Sequence, residues 1–171
     1  MWSIGIYTGA SPLTTVQNQL KGGFNGGAWT GNGITSSSAA ASAGAAHKTA
    51  LGIAEATDYN SSFPATFRGQ TIDSTSVLIR YTVSGDANLD GTVNLTDFTI
   101  LAANFNGSSK RWAQGDFNYS GNVALTDFTF LASNFNQSLA AQTVAAVVPE
   151  PGGASLALLV AAGWTARRRR F

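Results

Sequence analysis

Apolar positions along this chain follow a strand rhythm first and a helical rhythm later. Ile4 to Thr8 reads as a strand, Pro12 to Leu20 as a short helix, and the glycine-dense Lys21 to Gly33 as a loop. Ser36 to Ala46 is rich in Ala and Ser, and its periodicity fits a helix or a linker equally. Thr49 to Ala56 and Val77 to Val83 read as strands that pair with the opening one. Further on, Phe98, Leu101 and Phe105 recur as Phe128, Leu131 and Phe135, each set giving a helix one apolar face. The two stripes predict a shared helical core rather than a ligand groove. A last apolar stretch, Gly152 to Ala166, runs into Arg167, Arg168, Arg169 and Arg170. The fold class expected is α+β: a mixed strand and helix segment over 1–84, a small all-α module over 85–137, a linker over 138–148 and a C-terminal hydrophobic helix within 149–171.

The second rhythm is a duplication. Residues 85–106 return thirty positions later as 115–136, with 15 of 22 positions identical. Each copy sets oxygen side chains at the spacing of a calcium loop, in which a twelve-residue turn supplies ligands from positions 1, 3, 5, 7, 9 and 12 and a glycine at position 6 makes the bend. The first copy offers Asp86, Asn88 and Asp90, the Thr92 carbonyl, Asn94 and Asp97, with Gly91 at the bend. The second offers Asp116, Asn118, Ser120, the Asn122 carbonyl and Asp127, with Gly121 at the bend; Ala124 leaves position 9 to water. Two Ca²⁺ sites are expected, the first the stronger because it carries more carboxylates. A single D-x-N-x-D-G also suits an ordinary Asx-turn. Its repetition with the same Leu-Thr-Asp-Phe exit favours the metal.

Charge and composition narrow the function. Four of the ten basic residues are Arg167 to Arg170, which leaves six before Pro149 against eight of the nine acids. Five of the nine acids sit at ligand positions, where they repel one another unless a cation lies between them. A mildly acidic calcium module is not a nucleic-acid binder. Cysteine is absent, so stability rests on the core and the metal. Catalysis has little material. His47 is the lone histidine and reads as solvated, and the acids Glu55, Asp58 and Asp73 show no apolar pocket to separate their pKa values. Trp29 reads as a packing anchor among glycines rather than a sugar-stacking platform.

What precedes the first loop is the β-rich run Val77 to Val83, where an EF-hand has an entering helix, and position 12 is Asp where the EF-hand has Glu. A duplicated loop–helix unit of this kind, thirty residues between copies, resembles the type I dockerin over 85–137. The resemblance implies a non-catalytic module that docks onto cohesin receptors and tethers polysaccharide-degrading enzymes or surface proteins. It places partner contacts at positions 10 and 11, here Leu95-Thr96 and Leu125-Thr126, and on the following helices, so the copies present two equivalent faces. Many dockerins carry polar or basic pairs further along; here stand Ala102-Ala103 and Ala132-Ser133.

The C-terminus carries a second resemblance. Pro149, Glu150 and Pro151, the apolar stretch and the four arginines are similar to a PEP-CTERM sorting tail, which implies exosortase processing, contact with the inner membrane, and an exported protein at the cell surface or outside the cell. The apolar run spans about 22 Å as a helix, short of the roughly 30 Å bilayer core. Met1 to Tyr7 lacks the charge and length of a leader, so the chain reads as the end of a longer product. The segment from Gly22 to Ala41, with ALGIAEA and VLIRYT, resembles the region before dockerin repeats in large surface proteins. Two readings of different class follow: a cohesin-docking module of a surface protein, or the accessory tail of a polysaccharide-degrading enzyme; a calcium-stiffened stalk is a third.

Overall fold

The computed structural model describes residues 2–139. The hydrophobic C-terminal helix, residues 140–148 of the linker and the sorting residues Pro149 to Arg170 lie outside them. Strand β5 (Ser76–Val83) is the centre of a three-stranded antiparallel sheet, flanked by β1 (Trp2–Ile6) and β2 (Thr49–Glu55). Its sequence SVLIRYTV is apolar or β-branched at most positions and covered on both faces, as a central strand requires. Ile4 lies opposite Leu78, and Gly52 opposite Arg80. The expected pairing of Thr49 to Ala56 with the opening strand is not made. β2 meets β5 instead, because β5, at eight residues the longest of the three, is long enough to pair with a partner along each edge.

Helix α1 (Leu13–Phe24) buries Leu13, Leu20 and Phe24 on one side and ends where Asn25 turns left-handed at φ 43°. It runs four residues past Leu20, into the expected loop. Gly23 permits this, since a side chain there would strike the Ile34 backbone. Ser36 caps the short helix α2 (Ser37–Ala41) through the Ala39 amide at 3.2 Å. A third short helix, α3 (Ala56–Tyr59), follows β2. A hairpin of β3 (Ala65–Phe67) and β4 (Gln70–Ile72) turns on Arg68 and Gly69, both at positive φ, and drives Phe67 and Ile72 into the core. Trp29 is buried as expected, edge-on to Phe24 and Tyr119.

Each repeat is a loop followed by a helix: α4 (Leu95–Asn104) and α5 (Leu125–Ser133), with a 3₁₀ turn at Trp112–Gln114 between them. The repeats exchange their closures. Val123 of the second loop pairs with Asn106 and Gly107 just beyond α4, while Val93 of the first loop pairs with Asn136 and Gln137 just beyond α5. Gly85 lies so close to Leu131, and Gly115 to Leu101, that a Cβ would come within about 3 Å of the other repeat's helix backbone. Leu101 and Leu131 are thus the buried keystones of each other's repeat. Residues 137–139, expected to lie in or beside the linker, are part of this closure: Leu139 donates to the Gly91 carbonyl at 2.9 Å.

Sheet and repeats share one core, and residues 2–139 belong to one compact unit. The fourth position of each loop takes a left-handed turn, at φ 59° for Leu89 and 57° for Tyr119, and both side chains are buried. Gly52 makes room on β2, since a side chain there would collide with Leu89 and Trp112. Among the described residues no helix is long and apolar enough to cross a membrane.

Candidate metal centre and the helix face beside it

Short-range amide bonds give the first loop its shape. Both oxygens of Asp86 accept from the far side of the turn, Oδ1 from the Asp90 amide at 3.1 Å and Oδ2 from the Gly91 amide at 2.8 Å; Oδ2 also receives the Thr82 hydroxyl of β5. Asn88 Oδ1 accepts from the Asp90 amide and Asp90 Oδ1 from the Thr92 amide, two successive Asx-turns. Asp97 reaches back from the first turn of α4, Oδ1 to the Ala87 and Asn88 amides and Oδ2 to the Asn94 amide. The predicted residues of loop one are therefore brought together. Asn94 has a second task, since its Oδ1 caps α4 through the Thr96 amide at 2.7 Å.

The second loop repeats the plan with fewer charges. Asp116 accepts from the Ser120 and Gly121 amides, Asn118 from the Ser120 amide, and Asp127 from the Phe117 and Ala124 amides. Ser120 takes the place of Asp90 at 3.2 Å from the Asn122 amide and donates to the Asn122 carbonyl. Ala124 has no acceptor with which to cap α5, so only the return bond from Asp127 remains.

Four of these carboxylates, Asp86, Asp97, Asp116 and Asp127, have no solvent exposure. Burial pushes Asp86 up to about 7 and Asp116 up to about 6, against the hydrogen bonds that favour the charged form. Burial raises Asp97 and Asp127 as well. Charge held in this way is costly unless a cation sits among it. Carboxylates alone do not complete the set: among the described residues no three acidic or histidine side chains stand close enough to hold an ion by themselves. With the Asn88 and Asn118 amide oxygens and the loop carbonyls added, the donors are all hard oxygens, the chemistry that suits calcium.

The helical stripes depart from expectation. Leu101 and Leu131 are core, but Phe98, Phe105, Phe128 and Phe135 are between 37% and 44% exposed. Periodicity placed all three stripe positions on one helical face, whereas the helices end at Asn104 and Ser133, before Phe105 and Phe135, and only Leu101 and Leu131 pack under the other repeat. Phe98 and Phe128, equivalent residues of the two repeats, meet edge-on at 6.4 Å. Beside them Leu95 and Leu125 are 68% and 69% exposed, with Thr96 and Thr126 also exposed. In the second repeat Leu125 and Thr126 line a shallow groove of about 440 Å³ with Ala46, Lys48 and Phe130.

Residues 84–136 match the family model of the dockerin type I domain. This stretch is a dockerin domain. It begins and ends within two residues of the duplicated loops and their helices. A type II cohesin–dockerin domain from Bacteroides cellolosolvens is 33% identical over 34% of this chain and 92% of that one, at a TM-score of 0.30. No curated protein matches the chain. Against the dockerin residues the upstream acids have other engagements: Glu55 is bound by Ser11 and Tyr7, Asp58 lies 3.8 Å from Arg111, and Asp73 caps the turn into β5. His47 is exposed, with Nδ1 2.9 Å from the Ser133 carbonyl. The residues that sequence reading missed are Leu89, Tyr119 and Arg80, which join the dockerin to the sheet. Gly52 was their one local signal, an unexplained glycine inside a strand.

Proposed function

We propose that residues 85–137 bind two Ca²⁺ ions and dock a cohesin-like receptor in that state, so that the chain serves as a non-catalytic attachment module of an exported cell-surface protein. Asp86, Asn88, Asp90, the Thr92 carbonyl, Asn94 and Asp97 hold the first ion; Asp116, Asn118, Ser120, the Asn122 carbonyl and Asp127 hold the second. A bound ion supplies the positive charge that the buried carboxylates lack. The residues of this chain do the remainder: loop amides aim the oxygens, Asp97 and Asp127 tie each loop to its helix, and the helices hold Leu95, Thr96, Phe98, Leu125, Thr126 and Phe128 outward for the receptor. The observation that carries the reading is this conjunction, two oxygen-lined loops with buried carboxylates beneath an apolar face exposed equally in both repeats. The dockerin match supports it. The Pro149–Arg170 segment is proposed as the sorting tail, read by an exosortase at the inner membrane.

The test is calorimetric titration of the full chain with Ca²⁺, followed by retention on an immobilised cohesin in calcium and in chelator. Two binding events and chelator-sensitive retention are expected. A chain that takes up no calcium at millimolar concentration sinks the metal reading. One that takes up calcium and is retained by no cohesin leaves only a calcium-stiffened spacer.

A further inference from the structure

Arg80 lies outside the dockerin match, on β5, yet its guanidinium belongs to the first loop. The residue is 7% exposed, and its Nη1 donates to the Leu89 carbonyl at the fourth loop position. The guanidinium also packs against the bend so closely that a side chain on Gly91 would collide with it. Burial lowers its pKa, the carboxylate of Asp86 pushes it back up, the nearby Arg68 lowers it and Asp90 raises it. Among the described residues the one carboxylate ion pair within 4 Å is Arg111 with Asp58, so Arg80 balances the loop from beneath its backbone rather than by clasping one acid. The second loop differs. Its fourth residue, Tyr119, meets the sheet through a neutral hydroxyl on the Leu51 carbonyl.

We propose that Arg80 is a resident internal cation of the first loop, holding it in its calcium-ready shape before metal arrives and lowering its affinity toward that of the second. The inference rests on the calcium reading above. It revises the expectation drawn from ligand charge alone. With every carboxylate ionised, as a bound cation requires, three carboxylates with one guanidinium (Asp86, Asp90, Asp97 and Arg80) and two carboxylates with none (Asp116 and Asp127) leave each loop two negative charges. A fixed positive charge packed beneath the loop backbone, against Leu89 and Gly91, opposes a divalent ion held by that loop, and in a partly buried site that opposition is screened little.

The experiment is a chelator-buffered Ca²⁺ titration of the full chain, read site by site from the backbone amide signals of Gly91 and Gly121, with the metal-free melting temperature measured alongside. Arg80→Met is expected to tighten the Gly91 site about tenfold, the scale of one unit charge acting through an intermediate dielectric. It should leave the Gly121 site in place and lower the metal-free melting temperature. Arg80→Lys keeps the charge and loses the planar fork, so calcium affinity stays near that of the unchanged chain while metal-free stability falls. Ser120→Asp, at an exposed position, gives the second loop a third carboxylate with no cation beneath it, and should make that loop the tighter of the two. It decides the matter if Arg80→Met does not fold without metal. An unchanged or weakened Gly91 site in Arg80→Met, or a Ser120→Asp loop no tighter than the first, overturns the role of Arg80. No calcium response at either amide in any variant overturns the calcium reading itself.

Discussion

The hydroxyl of Tyr119 donates to the Leu51 carbonyl at 2.6 Å, joining the loop of the second repeat to strand β2 across 68 positions of sequence. Both groups are buried, and burial raises the Tyr119 pKa well above its ordinary value, so it remains a donor throughout the usual pH range. Tyr119→Phe keeps the ring among Phe24, Trp29 and Trp112 but leaves a buried carbonyl without its partner. A loss of about 1–3 kcal/mol is expected. Urea unfolding at saturating calcium measures it, and an unchanged midpoint would show that water replaces the hydroxyl.

The dockerin cut free of the sheet should be the weaker form. A 76–139 fragment keeps β5, both loops and their closure but exposes Leu89, Trp112 and Tyr119, which rest on β2 and the residues before it. Re-exposing two or three such side chains costs roughly 4–6 kcal/mol at the usual value per buried residue. Calorimetry of the fragment and of the longer chain, both with calcium, should show the fragment melting lower. Equal melting temperatures would make the sheet a mere neighbour.

The caps offer a controlled comparison between repeats. Asn94 caps α4 with its side chain, and the matching position before α5 is Ala124. Asn94→Ala should destabilise and Ala124→Asn should stabilise, each by about 1 kcal/mol. Thermal melts in chelator isolate the cap from any contribution to metal binding.

The exposed phenylalanines separate docking from folding. Phe98→Ser and Phe128→Ser remove surface rather than core, so each should change stability by less than about 1 kcal/mol. Both together should abolish retention on a cohesin. Leu101→Ala, by contrast, should cost roughly 2–5 kcal/mol as a buried truncation. If the phenylalanine pair unfolds the protein, the face is structural.

Asp73 gives a pH signature away from the metal loops. Its Oδ1 accepts from the Thr75 hydroxyl, the Ser76 hydroxyl and the Thr75 amide, and these hold its carboxyl below the ordinary value of 3.8. A lowered acid pKa means that the charged form is favoured by folding. Its contribution is therefore complete above 3.8 and is lost as pH falls through the lower, folded value. An NMR titration of the side-chain carboxyl should find its midpoint below 3.8; a midpoint at or above that value removes the assignment.

Much of the proposed metal centre is written in the sequence because ligand geometry is local. A twelve-residue loop must place Asp86, Asn88, Asp90 and Asp97 at set intervals whatever surrounds it, and the second copy repeats that spacing. Strands β2 and β5 were legible for a similar reason, being long enough to display their pattern. The β3–β4 hairpin was not, since three-residue strands have almost no period and Arg68-Gly69 is a weak turn signal. Phe98 and Phe128 were assigned to the core because periodicity identifies a face without saying what covers it. Leu89, Tyr119 and Arg80 were invisible as a group, for their partners lie in another part of the chain.

The crossed closure of the two repeats also sets an order of events. The edge that seals the loop at Asp86 to Asp97 is contributed by residues 136–139, the end of the described chain, whereas the loop at Asp116 to Asp127 is sealed by residues already passed. In a chain that emerges N-terminus first, the loop made first is therefore the one finished last. A truncation at residue 135 would leave the second loop closed and the first one open.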